Sequence, residues 1–85
     1  MPTWVSSLHH RTVIGSLVEA RKAAGLTQRD LAARLNKPPS FVGKVEAIER
    51  NLSVLEFLAW TTALDADPGQ LLKAIAAKGL GTIEI

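Results

Sequence analysis

The chain has 85 residues, 47% of them hydrophobic, with ten Lys and Arg against eight Asp and Glu and a formal net charge of +2. That is enough for one domain near the lower end of what a single core stabilises, and without cysteine it has no disulfide or thiolate–metal staple. No apolar run approaches the ~20 residues of a membrane span, and the first seven residues lack the basic start and apolar stretch of a signal peptide, so a soluble cytoplasmic protein with no membrane partner is expected.

Five helices are predicted. The first runs from about His10 to Ala24, with Val13, Leu17, Val18, Arg21 and Ala24 near one face and Gly25 in the position of a left-handed stop. Gly15 inside it costs about 1 kcal/mol relative to alanine and marks a candidate close helix contact. The second covers about 27–35. Its start is a capping-box-like pair of Thr27 and Asp30, with Leu26 and Leu31 as a hydrophobic staple. Leu31 and Leu35 point inward, Ala32 is small enough to let another helix close in, and Asn36 suits the positive φ of the turn that follows.

The third helix spans about 39–47. Pro39 fits its first position, where a missing N–H has no partner to lose. Val42 and Val45 face the core, and Ser40, Gly43 and Lys44 face outward. A full capping box, Ser53 to Glu56, opens the fourth helix, which continues through Phe57, Leu58, Trp60, Thr61 and Leu64. Asp67 and Pro68 open the fifth, whose apolar side is Leu71, Leu72, Ile75 and Ala76, and Gly79 closes it. The tail, residues 81–85, alternates like a short strand. A single strand has nothing to pair with in a helical monomer, so this tail is either frayed or an intermolecular contact.

Charge is unevenly distributed. Residues 21–44 carry Arg21, Lys22, Arg29, Arg34, Lys37 and Lys44 against Asp30 alone, whereas residues 45–85 hold an excess of acid. The basic stretch coincides with two short helices joined by a tight turn, the geometry that lays a helix in the major groove and needs a phosphate-facing surface. Charge alone fits a solvated helical face equally well.

The segments 24–32 (Ala-Gly-Leu-Thr-Gln-Arg-Asp-Leu-Ala), 40–46 (Ser-Phe-Val-Gly-Lys-Val-Glu) and 52–58 (Leu-Ser-Val-Leu-Glu-Phe-Leu) resemble the Xre/Cro family of phage-repressor-type helix-turn-helix proteins, over roughly residues 8–73. The resemblance implies an all-α, five-helix domain over residues 1–80 with a short extended C-terminal tail at 81–85. It also implies a sequence-specific transcriptional regulator, a homodimeric repressor binding a double-stranded DNA operator, with no cofactor. By the family pattern Gln28 meets a phosphate, Pro39, Ser40, Gly43 and Lys44 face base edges, and Arg50 and Asn51 sit in a loop that contacts the backbone. Arg29 and Lys37 join the phosphate contacts, and Arg21 and Glu46 form a structural ion pair tying the first helix to the third. Phe41 either touches a thymine methyl or sugar or is half buried.

Two departures stand out: Asn36 replaces a usual glycine, and Ala47-Ile48 stand where relatives often carry Ser-Gly or Arg-Gly, so the third helix is expected to exit differently. The recognition face is also poor in readers, since Pro39 has no donor and Gly43 no side chain. With few readers per half-site, specificity needs two half-sites bound together or a contribution from DNA shape, so dimerisation is implied by function as much as by sequence. Trp60, Leu71, Leu72, Ile75, Ile83 and Ile85 are the candidate dimer contacts, Trp60 being alternatively core, and Trp4 folds back or serves a partner.

The adjacent His9 and His10 point about 100° apart on a helix and have no third ligand nearby, so no metal site is expected. No nucleophile, paired acid or Gly-rich phosphate loop suggests an enzyme. The competing reading is a protein-interaction module on the same fold, an antitoxin subunit or anti-activator with a protein partner and weak DNA binding.

Overall fold

The computed structural model describes residues 8–83, so Trp4, Glu84 and Ile85 lie outside the described residues. Five helices follow in chain order: α1 Leu8–Ala23, α2 Gln28–Arg34, α3 Pro39–Glu46, α4 Val54–Ala63 and α5 Pro68–Ala76. No strand forms among the described residues, and the strand-like pattern of the tail is interrupted at Gly81, whose φ is 66°.

The helix starts follow the chemistry of their caps. Thr27 and Asp30 form a reciprocal capping box on α2, as Ser53 and Glu56 do on α4. Asp67 accepts from the Gly69 and Gln70 amides at the start of α5. Pro38, extended and without a capping oxygen, precedes Pro39 at the first position of α3. Each box satisfies amides that helix geometry leaves without partners, worth roughly 1 kcal/mol per cap.

The exits are equally specific. Asn36 takes φ 58°, and the Lys37 amide reaches back to the Ala32 carbonyl at 2.9 Å, closing α2 with a left-handed turn. Ile48 does the same for α3. Its φ is 59°, and the Glu49 amide donates to the Lys44 carbonyl at 2.8 Å. The exit expected to differ therefore keeps the geometry a glycine would give, with a β-branched residue held in a region that such residues rarely occupy. What holds it there is its side chain, half-buried against the core.

The core gathers Ile14 and Leu17 of α1, Leu31 and Ala32 of α2, Val42 and Val45 of α3, and Phe57, Trp60 and Leu64 around α4. On α1, Leu17 and Arg21 of the face read from the sequence are buried and Val18 packs against the core. Ile14 turns inward where Val13 is only half-buried, and Ala24 is exposed, which corrects that face at two positions. The candidate dimer set changes too. Trp60 is 0% exposed and Ile75 4% exposed, so both belong to the interior and neither is available to a second subunit. Leu71 is half-buried against the core. Leu72 and Ile83 remain exposed, and so do three apolar residues of α4, Val54, Leu55 and Leu58. Two long-range bonds tie the segment after α5 to α1: His9 Nε2 bonds the Leu80 carbonyl, and Lys78 Nζ donates to Ser16 Oγ at 2.6 Å.

No helix among the described residues is long and apolar enough to cross a membrane.

Candidate nucleic-acid interface

α2 and α3 pack on each other with Ala32 and Val42 both fully buried, so the two helices approach closely and the far side of α3 is turned outward. That far side presents Pro39, Ser40 and Lys44, all exposed, and Gly43, half exposed. Gln28 is the first residue of α2, at the positive end of the helix. Its side chain lies beside Gly43, where an added Cβ would meet Gln28 Oε1 at 3.6 Å. That is ordinary contact distance, so the Gln28 side chain lies against the outer face of α3 at Gly43.

Beneath this surface sits one charge relay. Arg21 of α1 donates from Nε to Glu46 Oε2 at 2.6 Å and from Nη2 to Oε1 at 3.0 Å. Its Nη1 bonds the Leu26 carbonyl at 2.8 Å, just ahead of α2. Both side chains are nearly out of water, 10% and 7% exposed. Glu46 Oε1 also accepts from Gln28 Nε2 at 2.8 Å. One carboxylate thus joins α1, the start of α2 and the end of α3, and it fixes the amide of Gln28. The family pattern implied only the ion pair; the third member was not read from the sequence.

The remaining expected DNA contacts divide into two groups. Arg29 and Lys37 are exposed. Arg50 and Phe41 are instead engaged within the domain. Phe41 is half-buried on α3, its ring tilted 44° to that of Trp60 with centroids 5.9 Å apart. The Arg50 guanidinium lies 4.6 Å from the Phe41 centroid and Lys37 Nζ 5.6 Å from it. Arg50 also forks onto Glu56, Nη1 to Oε1 at 3.1 Å and Nη2 to Oε2 at 2.8 Å. Asn51 is exposed and turns its Oδ1 to the Leu52 amide. Arg34, counted with the basic stretch, donates to the Ala63 carbonyl at 2.8 Å and serves the end of α4. Sequence spacing gives no register between Arg34 and Ala63, which is why that role was missed.

Arg50 beside it, with the Ser53 amide, pulls the Glu56 carboxyl down to about 2 from an ordinary 4.5. Asp30 is lowered as well, first by the Thr27 amide it accepts from. A carboxylate depressed in the folded state contributes stability that is present above its unfolded value and is lost as pH falls through its folded value. Stability is therefore expected to decline between about pH 4.5 and about pH 2 as Glu56 takes up its proton. Urea midpoints taken across that window, compared with those of Glu56→Gln, check this: the variant should lack that part of the slope.

Among the described residues no group of three metal-ligating side chains comes together.

A helix-turn-helix family profile matches residues 17–71 of the chain. An Xre-family-like protein from Pseudomonas syringae pv. tomato has 44% identity to it, with a TM-score of 0.78 over 82% of this chain and 85% of that one. The restriction-modification controller protein C.AhdI from Aeromonas hydrophila is 41% identical, with a TM-score of 0.64 over 69% and 86%. The clp gene regulator ClgR from C. glutamicum shares the fold at 22% identity, with a TM-score of 0.73 over 86% and 95%. No curated protein matches the chain. The chain belongs to the Xre-type helix-turn-helix family of DNA-binding transcriptional regulators, which are not enzymes.

Proposed function

We propose that the protein is a homodimeric repressor that places α3 in the major groove of a specific operator and excludes polymerase from a promoter. The observation that carries this reading is the outer face of α3: Ser40 and Lys44 are exposed on it, and Gln28, held by Glu46, lies alongside. Lys44 reads guanine O6 and N7, a contact worth roughly 1–3 kcal/mol of discrimination, and Ser40 adds a donor or acceptor. Gln28, with the free amides that begin α2, meets a phosphate, and Arg29, Lys37 and Asn51 contact flanking phosphates. Pro39 and Gly43 shape the face without reading it.

Dimerisation falls to the exposed apolar residues. Leu72 and Ile83, joined by Val54, Leu55 and Leu58 of α4, offer the surface that Trp60 and Ile75 do not. The same exposed α4 residues favour a second reading, in which this face takes a different protein and DNA binding is weak.

The test is fluorescence anisotropy with the duplex upstream of the gene and a scrambled duplex at two salt concentrations. A regulator should prefer its own site by at least about a thousandfold. Lys44→Ala should weaken operator binding by roughly 10-fold or more per half-site while leaving the scrambled duplex nearly unchanged. Lys37→Ala should weaken both in parallel, with a shallower salt slope. Equal losses on both duplexes for Lys44→Ala would remove its base-reading role.

A further inference from the structure

The loop after α3 carries an arrangement that a simple phosphate contact does not need. Arg50 makes three hydrogen bonds inside the domain: Nη1 to the Asn51 carbonyl at 2.9 Å and to Glu56 Oε1 at 3.1 Å, and Nη2 to Glu56 Oε2 at 2.8 Å. Its guanidinium also covers the Phe41 ring at 4.6 Å. Glu56 is anchored in turn, because Oε1 accepts from the Ser53 amide at 2.9 Å and Ser53 Oγ accepts from the Glu56 amide at 3.1 Å. Phe41 is anchored on its other flank by Trp60, which is fully buried. A continuous line of contacts therefore runs from the N-terminal cap of α4, through Glu56 and Arg50, to a side chain in the first turn of α3, and on to the core.

We propose that Arg50 is a positioning residue: pinned by Glu56 and laid on Phe41, it sets the orientation of the recognition helix instead of binding a DNA phosphate. A guanidinium suits this role because its face stacks on an aromatic ring while its edge remains free to bond a carboxylate in fork geometry. An ammonium cannot do both. Turning Arg50 toward a phosphate would break the fork and leave the Glu56 carboxylate with only the Ser53 amide as a partner. In this arrangement the residue contributes to specificity through α3, since a reader such as Lys44 discriminates bases only while its helix is held in register.

The specificity arm of this inference rests on the DNA-binding reading, but its structural arm does not. The decisive variant is Glu56→Gln. Glutamine serves at the third position of a capping box, so the α4 cap survives, while the charged fork to Arg50 is lost. Positioning and phosphate binding predict opposite results. If Arg50 positions α3, Glu56→Gln lowers the preference for the duplex that wild type enriches from a random pool, over a scrambled one, by about tenfold, with the salt slope unchanged. Arg50→Lys behaves alike and does not rescue. In free protein the amides of residues 42–46 exchange about tenfold faster in both variants, while those of α1 do not.

If Arg50 binds phosphate, Glu56→Gln frees it. Both duplexes then bind more tightly with the preference intact, Arg50→Lys is close to wild type, and Arg50→Ala flattens the salt slope by about 0.9 per contact. That pattern, or unchanged exchange in residues 42–46, overturns the proposal. Should wild type enrich no sequence at all, the DNA-binding reading fails, and the exchange measurement alone still decides whether Arg50 and Glu56 hold α3.

Discussion

Glu46→Ala is expected to cost about 3–5 kcal/mol of folding stability, a large share of the roughly 5–15 kcal/mol that holds a domain folded. The side chain is 7% exposed and its Arg21 partner 10% exposed, so removal leaves a guanidinium in a dry site with only the Leu26 carbonyl to meet it. The loss would reflect the stranded cation more than the net worth of the pair, since taking both ions out of water is itself costly. The double variant Arg21→Met, Glu46→Leu should therefore recover most of the stability lost by the single one. Function separates the two. The double variant also lacks the acceptor that holds Gln28 Nε2, so it should fold well yet bind DNA weakly. Urea denaturation followed by circular dichroism, with anisotropy on the same samples, measures both. A loss below about 1 kcal/mol for Glu46→Ala would show that Arg21 finds water or another partner, and the relay would not be the link it looks to be.

What the sequence made legible follows from the range of the forces involved. Caps act over three residues, so Thr27 with Asp30, Ser53 with Glu56 and Asp67 were readable in one dimension. Valines spaced three apart on α3 could only face one way, and they are buried. The face of α4 was not readable. Val54, Leu55, Phe57, Leu58 and Trp60 make that helix apolar nearly all round, so periodicity offers no inward side and packing decides. The decision puts Phe57 and Trp60 inside and leaves Val54, Leu55 and Leu58 outside. The same limit applies to Arg50. Its partner Glu56 lies six residues on, across a loop with no fixed register, and Phe41 lies nine residues back. Residue type suggested a phosphate contact; three-dimensional placement gives the side chain three internal bonds. Ile48 shows the converse, since its residue type argues against φ 59°, and the exit geometry of α3 prevails.

Trp60→Ala is expected to cost about 3–5 kcal/mol, which would leave so small a domain largely unfolded near 37 °C. The indole is 0% exposed and packs in the core with Leu17, Leu31, Val42 and Val45, elements of three other helices. Alanine would open a cavity at the point where those helices meet, and tight packing around it limits collapse. Trp60→Phe should be far milder. The ring is smaller, which costs transfer energy, but the indole N–H is buried without a hydrogen-bond partner among the described residues, and phenylalanine relieves that burden. A net loss of about 1–2 kcal/mol is expected. These two outcomes separate a core residue from an interface residue. At an interface, Trp60→Ala would yield a folded monomer, with a normal urea midpoint and altered sedimentation. In the core it yields a chain whose far-ultraviolet circular dichroism collapses, while Trp60→Phe keeps its association state. Loss of Trp60 also removes the surface on which Phe41 rests, so even the milder variant should loosen the recognition helix before it loosens the domain.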